Sequence, residues 1–274
     1  MVALAKEPTV QESVTKVFDL MGGVTNMIKP GTTVMLKPNA GHASPADTSV
    51  CTNPEVVRAV IREVKKANPK SIVIAEAAAI GCDTMECYEV SGIADVAREE
   101  GVELYDIKAD HLINLPILKA HASMVFSCAL KNIKGVVQDA VHLQMHQQNL
   151  TMAMMDVWSV CHADINIVDA IRPASGYSPH TPVPIEVGCI LGSYDPVAVD
   201  LIACDLVGID AEAVDYFRVS AETGLGTTNR DDIEVVGAKV EDCYKKMWVP
   251  YIGDMSKRWP EYQVLCDGAC SSCQ

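Results

Sequence analysis

The chain has 274 residues, 49% of them hydrophobic, and a formal net charge of −14 at pH 7, so it can bury a full core and does not have the composition of a disordered segment. That charge repels nucleic-acid phosphates and anionic membrane surfaces. No run reaches the ~18 apolar residues that span a bilayer, and MVALAKEPTV lacks the basic start and apolar stretch of a signal peptide. Nucleic acid and membrane are therefore excluded as expected partners. The expected location is the cytoplasm, where eleven cysteines are thiols or metal ligands rather than a disulfide framework.

In chain order, TTVMLKPN (32–39) predicts a buried strand ending in a polar turn. TNPEVVRAVIREVKKANP follows as a helix with Asn53 as N-cap, Pro54 at its first position and Val56, Val57, Val60, Ile61 and Val64 on one face. SIVIAEA (71–77) is the next strand and completes a βαβ unit. GIADVAREEG predicts a short helix stopped at Gly101, VELYDI a strand, and HLINLPILKAH (111–121) one further continuous strand. A helical region through Met154 and Val160 leads to the strand INIVDAI (165–171), the Pro and Gly loop RPASGYSPHTPVP, the strand IEVGCILGS, and a helix from Asp195 and Pro196. This alternation predicts an α/β fold: a mostly parallel sheet of βαβ units with helices on both faces. The α/β domain takes residues 1–262, as one body or two lobes, and residues 263–274 form a short cysteine-containing C-terminal tail.

Ligands of such sheets sit at the carboxyl ends of the strands, where turns supply polar groups and helix N-termini supply partial positive charge. Lys37, Asn39, Glu76, Lys119, His121, Asp169 and Asp195 all fall at or just past predicted strand ends. Lys131 and Asn132 follow in ALKNIKGV, where Gly135 lets the backbone approach a ligand while ammonium groups neutralise an anion. A solvated lysine pair is the plainer reading of that segment, and no phosphate-loop or dinucleotide motif is present. His142 and His146 are four residues apart, so on a helix they share a face, as two metal ligands or a ligand and a proton-transfer group would; two solvent-facing histidines would look the same. Asp195 is either a helix cap or a substrate contact. Glu76, at the end of an apolar strand, requires a partner.

Cys128, Cys161, Cys189 and Cys204 lie in apolar surroundings and read as core residues, whereas Cys51, Cys82 and Cys87 lie near loops. The terminal CDGACSSCQ has no core to fill. Cys266, Cys270 and Cys273 can hold three corners of a [4Fe-4S] cluster, the fourth iron taken by another residue, a substrate or a partner; zinc is the alternative metal.

The segments LKPN, TNPEVVRA, IAEA, INLPILKAH, ALKNIKGVV, a downstream histidine, IVDAI, SYDPVAVD and a late GLG occur in an order that resembles the prokaryotic family known as domain of unknown function 362, from about Val2 to Gly226. Lys119-Ala120-His121 stands where that family usually has Lys-Thr-His. The resemblance implies an iron-sulfur or ferredoxin-linked protein, although the C-x2-C-x2-C-x3-C run of a ferredoxin is absent here. A looser likeness to lactate racemase-type proteins rests on the spacing of Lys131 and His146.

Together these residues lead to one expectation: an iron-sulfur enzyme performing redox or Lewis-acid chemistry on a small anionic substrate. In it Lys119, His121 and His146 are catalytic, Lys37, Asn39, Glu76, Lys131, Asn132 and Asp195 bind substrate, and Cys266, Cys270 and Cys273 hold the metal. The alternatives are a non-catalytic electron carrier or cluster-bearing subunit, and a cluster-independent isomerase. A redox partner protein is expected with the cluster, and a homo-oligomer is left open.

Overall fold

The computed structural model describes residues 1–79, 81–104, 110–121, 124–137, 144–145 and 149–249. Their strands are β1 Val2–Ala5, β2 Thr33–Pro38, β3 Ser71–Ile74, β4 Glu103–Leu104, β5 His111–Leu115, β6 Ile117–His121, β7 Val125–Ser127, β8 Ile165–Tyr177, β9 Thr181–Pro184, β10 Cys189–Ser193 and β11 Val235–Gly237. The sheet runs β11-β1-β10-β8-β5-β2-β3-β4, with β6 and β9 also pairing with β8, and β7 pairing with β6.

The side from β8 through β5, β2 and β3 to β4 is parallel throughout. The first βαβ unit forms as the sequence predicts: Asn53 caps the helix Pro54–Lys65 by accepting from the Glu55 amide, and Val56, Val57, Val60, Ile61 and Val64 are all buried. Gly101, in the left-handed conformation, ends the helix Ile93–Glu100.

Alternate residues of each strand feed two cores. Ala3, Val34, Leu36, Ile113, Ile167 and Ile190 pack on one face with the helices Val10–Leu20, Pro54–Lys65 and Ile93–Glu100. Val2, Leu4, Leu112, Val168, Cys189 and Leu191 pack on the other with the helices Leu150–Val160, Pro196–Val207 and Asp215–Thr223. The expected α/β class, with helices on both faces of a largely parallel sheet, is therefore what the chain forms.

Three expectations are corrected. HLINLPILKAH is two strands, because Pro116 has no amide to continue a ladder. After it the chain parts from β2, while β6 pairs further along β8 and takes β7 on its other side. INIVDAI does not end at Ile171: β8 continues to Tyr177 and turns back as β9, so RPASGYSPHTPVP is mostly hairpin. Finally, β10 runs antiparallel to both β8 and β1, which makes the sheet mixed on that side.

Candidate functional site

Lys37 is the fifth residue of β2 and is 1% exposed. Its ammonium donates to Glu76 Oε2 at 2.6 Å and to the Pro38 carbonyl at 3.2 Å. Glu76 follows β3, the parallel neighbour of β2, so adjacent carboxyl ends bring the pair together. Burial lowers the Lys37 pKa and raises that of Glu76, and the mutual contact opposes both shifts. The two proton affinities are thereby drawn toward each other.

Gly135 lies directly against this pair. A Cβ there would fall 1.6 Å from Glu76 Oε1 and 2.7 Å from Lys37 Nζ. The Gly135 carbonyl also accepts from the Ala77 amide at 2.8 Å. The glycine read from sequence as an approach point for ligand is thus first an approach point for the lysine–glutamate pair.

Lys119, on β6, is 5% exposed. Its ammonium donates to Asn39 Oδ1 at 3.1 Å and to the Val50 carbonyl at 3.2 Å. From Asn39 a directed chain of amides crosses the buried sheet. Asn39 Nδ2 donates to Asn132 Oδ1 (2.9 Å), Asn132 Nδ2 to Asn114 Oδ1 (2.8 Å), Asn114 Nδ2 to Asn166 Oδ1 (2.9 Å), and Asn166 Nδ2 to the Ser193 carbonyl (3.3 Å). Each asparagine both donates and accepts, so no link can be removed without orphaning a buried group. Asn114 and Asn166 were not singled out from sequence; polar residues in the inward register of apolar strands were the available signal. His121 closes β6 two residues beyond Lys119, on the same face of the strand, and is 7% exposed.

Lys131 and Asn132 ride on the short helix Ala129–Asn132, which is held at two points. Asp200 accepts from the Ala129 and Leu130 amides at 2.7 and 3.0 Å, and the Trp158 indole donates to the Leu130 carbonyl at 2.9 Å. Burial lifts Asp200 to about 7 against the pull of those two amides. Asp200 is therefore an anchor for the turn that carries Lys131.

Burial sets the charge state of the cluster first, and neighbouring lysines add to it most at Lys131. Lys119 and Lys134 are lowered to about 8, and Lys131 lies well below its ordinary value under the added influence of Lys134, Lys119 and Lys37. Glu76 is the carboxylate that opposes this trend at each of the four lysines.

His42, in the loop AGHAS after β2, was missed by the sequence reading; its position just past a strand end was the signal. Burial and then Lys119, His180, Lys131 and Lys134 push its imidazole down to about 4. Its Nδ1 lies 3.8 Å from Cys82 Sγ, and the Cys51 thiol donates to the His42 carbonyl at 3.2 Å. Cys87 is buried in the helix Thr84–Ser91. Among the described residues, no group of three or more His, Cys, Asp or Glu side chains is arranged to hold a metal ion.

Asp195 does not join this cluster. β10 runs against β8, with Ser193 opposite Asn166 in the row of Asn114 and Lys37, so the chain past Ser193 heads away from the carboxyl ends of β2 and β5. There Asp195 accepts from the Val197 and Ala198 amides at 2.9 and 3.0 Å and from Thr227 at 2.7 Å, which makes it a cap and a loop tie. Asp169 lies within β8 rather than at its end, and its carboxylate accepts from the Asn53 and Ile171 amides. Cys128, Cys189 and Cys204 are buried as expected, while Cys161 keeps partial exposure. His142, His146 and the terminal Cys266, Cys270 and Cys273 lie outside the described residues.

No helix among the described residues is long and apolar enough to cross a membrane. The chain is 25% identical over 244 residues to a thylakoid-associated protein of Synechocystis sp., covering 79% of this chain and 75% of that one. A Thermotoga maritima protein known from its crystal structure aligns with TM-score 0.41 and 11% identity, over 72% of this chain and 57% of that one, so the chain spans little more than half of that protein's length. The family described as "Domain of unknown function (DUF362)" matches residues 34–110 and 107–205, a region that carries Lys37, Glu76, Lys119, Lys131 and Asp200 and takes in most of the chain. By that match, the chain belongs to this family.

Proposed function

We propose that the chain is a cytoplasmic enzyme that binds a small anionic substrate, a carboxylate or a phosphate, among Lys37, Lys119, Lys131 and Lys134, and moves a proton on it. The observation that carries this reading is the gathering, among the described residues, of Lys37 from β2, Lys119 from β6, and Lys131 and Lys134 from Ala129–Asn132 and the turn after it, around Glu76. Four lysines with lowered proton affinity share Glu76 as their opposing charge. An anion entering there is met by fixed donors and offsets the cost of burying those ammonium charges, which is what chiefly holds their affinities down.

The donors left over support the same reading. An ammonium has three N–H groups. Among the described residues Lys119 uses two on Asn39 and Val50, and Lys37 uses two on Glu76 and Pro38, which leaves each one to offer a substrate. Lys119, lowered to about 8, can hold or release a proton near neutral pH, as an acid–base group must. The asparagine chain fixes where its ammonium points. His121 is assigned as the second proton-transfer group, and His146 keeps the same proposed role.

The terminal Cys266, Cys270 and Cys273 are assigned to a [4Fe-4S] cluster, with zinc as the alternative. When bound, a cluster would supply electrons, through a redox partner protein, or a Lewis acid.

Calorimetric titration with inorganic phosphate and with acetate at pH 7 tests the anion site. Saturable binding is expected, weakened about 10- to 100-fold in Lys119→Met, as loss of a charged hydrogen bond implies. Equal affinity in wild type, Lys119→Met and Lys131→Met would sink the proposal.

A further inference from the structure

The loop after β2 holds His42 beside the lysine cluster through contacts on both of its sides. The Cys51 thiol donates to the His42 carbonyl at 3.2 Å, and Val50, one residue earlier, offers its carbonyl to Lys119 Nζ at 3.2 Å. On the other side the Ala79 amide donates to the Gly41 carbonyl at 2.8 Å, which joins the loop to the segment that carries Glu76 and Cys82. The base of the loop is closed twice: the Asn39 amide donates to Thr52 Oγ1 and the Thr52 amide to the Asn39 carbonyl, each at 2.8 Å. His42 is thereby fixed between the backbone next to Lys119 and the backbone that follows Glu76.

The His42 side chain is only partly covered, so a ligand can reach it. Its Nδ1 faces Cys82, with Sγ at 3.8 Å, within the reach of a thiol donor. In a neutral imidazole one nitrogen carries the proton and the other accepts, so a donor at one nitrogen places the proton on the other. Among the described residues the hydrogen bonds of His42 are made by Nδ1 and the carbonyl, which leaves Nε2 to meet a ligand. Burial, with Lys119, His180, Lys131 and Lys134 adding to it, pushes the imidazole down to about 4. The ring is therefore neutral at pH 7, and its tautomer decides what it offers.

We propose that His42 is a further substrate-contacting residue of the anion site: its neutral imidazole donates an Nε2–H hydrogen bond to the bound anion, and Cys82 is the positioning residue that fixes that tautomer. The proposal rests on the anion reading above and adds to it a donor that carries no charge. Such a donor gives an oxyanion direction without the cost of burying one more cation beside the lysines. Neutral imidazoles serve as donors of this kind to substrate oxygens elsewhere.

The test is 15N NMR of the histidine rings on the full chain at pH 7, assigned through His42→Ala, with inorganic phosphate as the ligand. The expected spectrum shows His42 with Nε2 protonated and Nδ1 bare, and the Nε2 signal moves as phosphate is added. Cys82→Ala should lose the preference between tautomers, whereas Cys82→Ser, which keeps a hydroxyl donor, should retain it. By calorimetry, phosphate affinity should fall about 3- to 10-fold in His42→Ala, as loss of one uncharged hydrogen bond implies. A proton on Nδ1, or a ring that does not respond to saturating phosphate, overturns the proposal while the lysine site stands. Absence of phosphate binding in the wild type removes the anion reading, and this proposal with it. The wild-type spectrum decides the tautomer even where a variant does not fold.

Discussion

Lys37 Nζ and Glu76 Oε2 meet at 2.6 Å, both nearly inaccessible to solvent, under a backbone segment that passes close only because residue 135 is glycine. Pair and glycine form one unit. The backbone angle at Gly135 is an ordinary one, so the requirement is space rather than conformation. Gly135→Ala is expected to cost about 2–4 kcal/mol in denaturant unfolding and to abolish phosphate binding. Gly41→Ala is the control: its Cβ would find its nearest neighbour at 3.9 Å, so its effect should stay within about 0.5 kcal/mol.

Removing one partner of the pair should cost more than removing both. Glu76→Leu leaves the Lys37 charge buried without its carboxylate, at about 3–5 kcal/mol. Adding Lys37→Met to Glu76→Leu should bring much of that stability back, because desolvation of both charges is avoided. A double-mutant cycle by urea unfolding checks this, and strictly additive losses would contradict it.

The lysines also predict a pH dependence with a definite sign. Lys119 and Lys134 sit at about 8 in the folded chain and near 10.5 when unfolded. Between those values the unfolded state holds more protons, so stability without ligand should rise with pH from about 8 to 10.5; below 8 both states are protonated and the cost of burying the charge is fully present. Phosphate affinity should run the other way, falling as pH passes 8. In Lys119→Met the rise in stability should be smaller by on the order of a few kcal/mol.

Asp200 should matter to the site from a distance. Asp200→Ala leaves the Ala129 and Leu130 amides buried without an acceptor and frees the turn bearing Lys131 and Asn132. A loss of about 1–3 kcal/mol in stability is expected, together with weaker phosphate binding. Asp200→Asn, which keeps one acceptor oxygen, should fall between. Unchanged phosphate affinity in both variants would separate this cap from the site.

The tail assignment has its own measurement. Protein purified without oxygen should contain about four irons and four acid-labile sulfides per chain, both lost in Cys270→Ser. Protein with neither iron nor sulfide in the wild type removes the cluster from the account.

What the sequence showed of this fold and site follows from local chemistry. The helix Pro54–Lys65 was legible because cap, proline and apolar spacing all fall within a dozen residues. Lys37, Asn39, Glu76 and Lys119 were legible because parallel strands deliver their carboxyl ends to one place. The same rule misplaced Asp195, since strand direction depends on a partner far away in sequence, and β10 is antiparallel. The break at Pro116 was written in the sequence and passed over in favour of a long apolar run. The roles of Asn114, Asn166 and Asp200 come from contacts spanning 18 to 71 residues, which no window on the sequence contains.

The most direct test of the central claim is the titration of lysine side chains by NMR, on protein carrying 13C-labelled lysine, assigned through Lys119→Met and Lys134→Met. Two lysines, the buried Lys119 and the half-buried Lys134, are expected to titrate near 8 and to move upward when inorganic phosphate is added. If every lysine titrates near 10.5 and none responds to phosphate, the cluster is not an anion site, and the reading built on it is wrong.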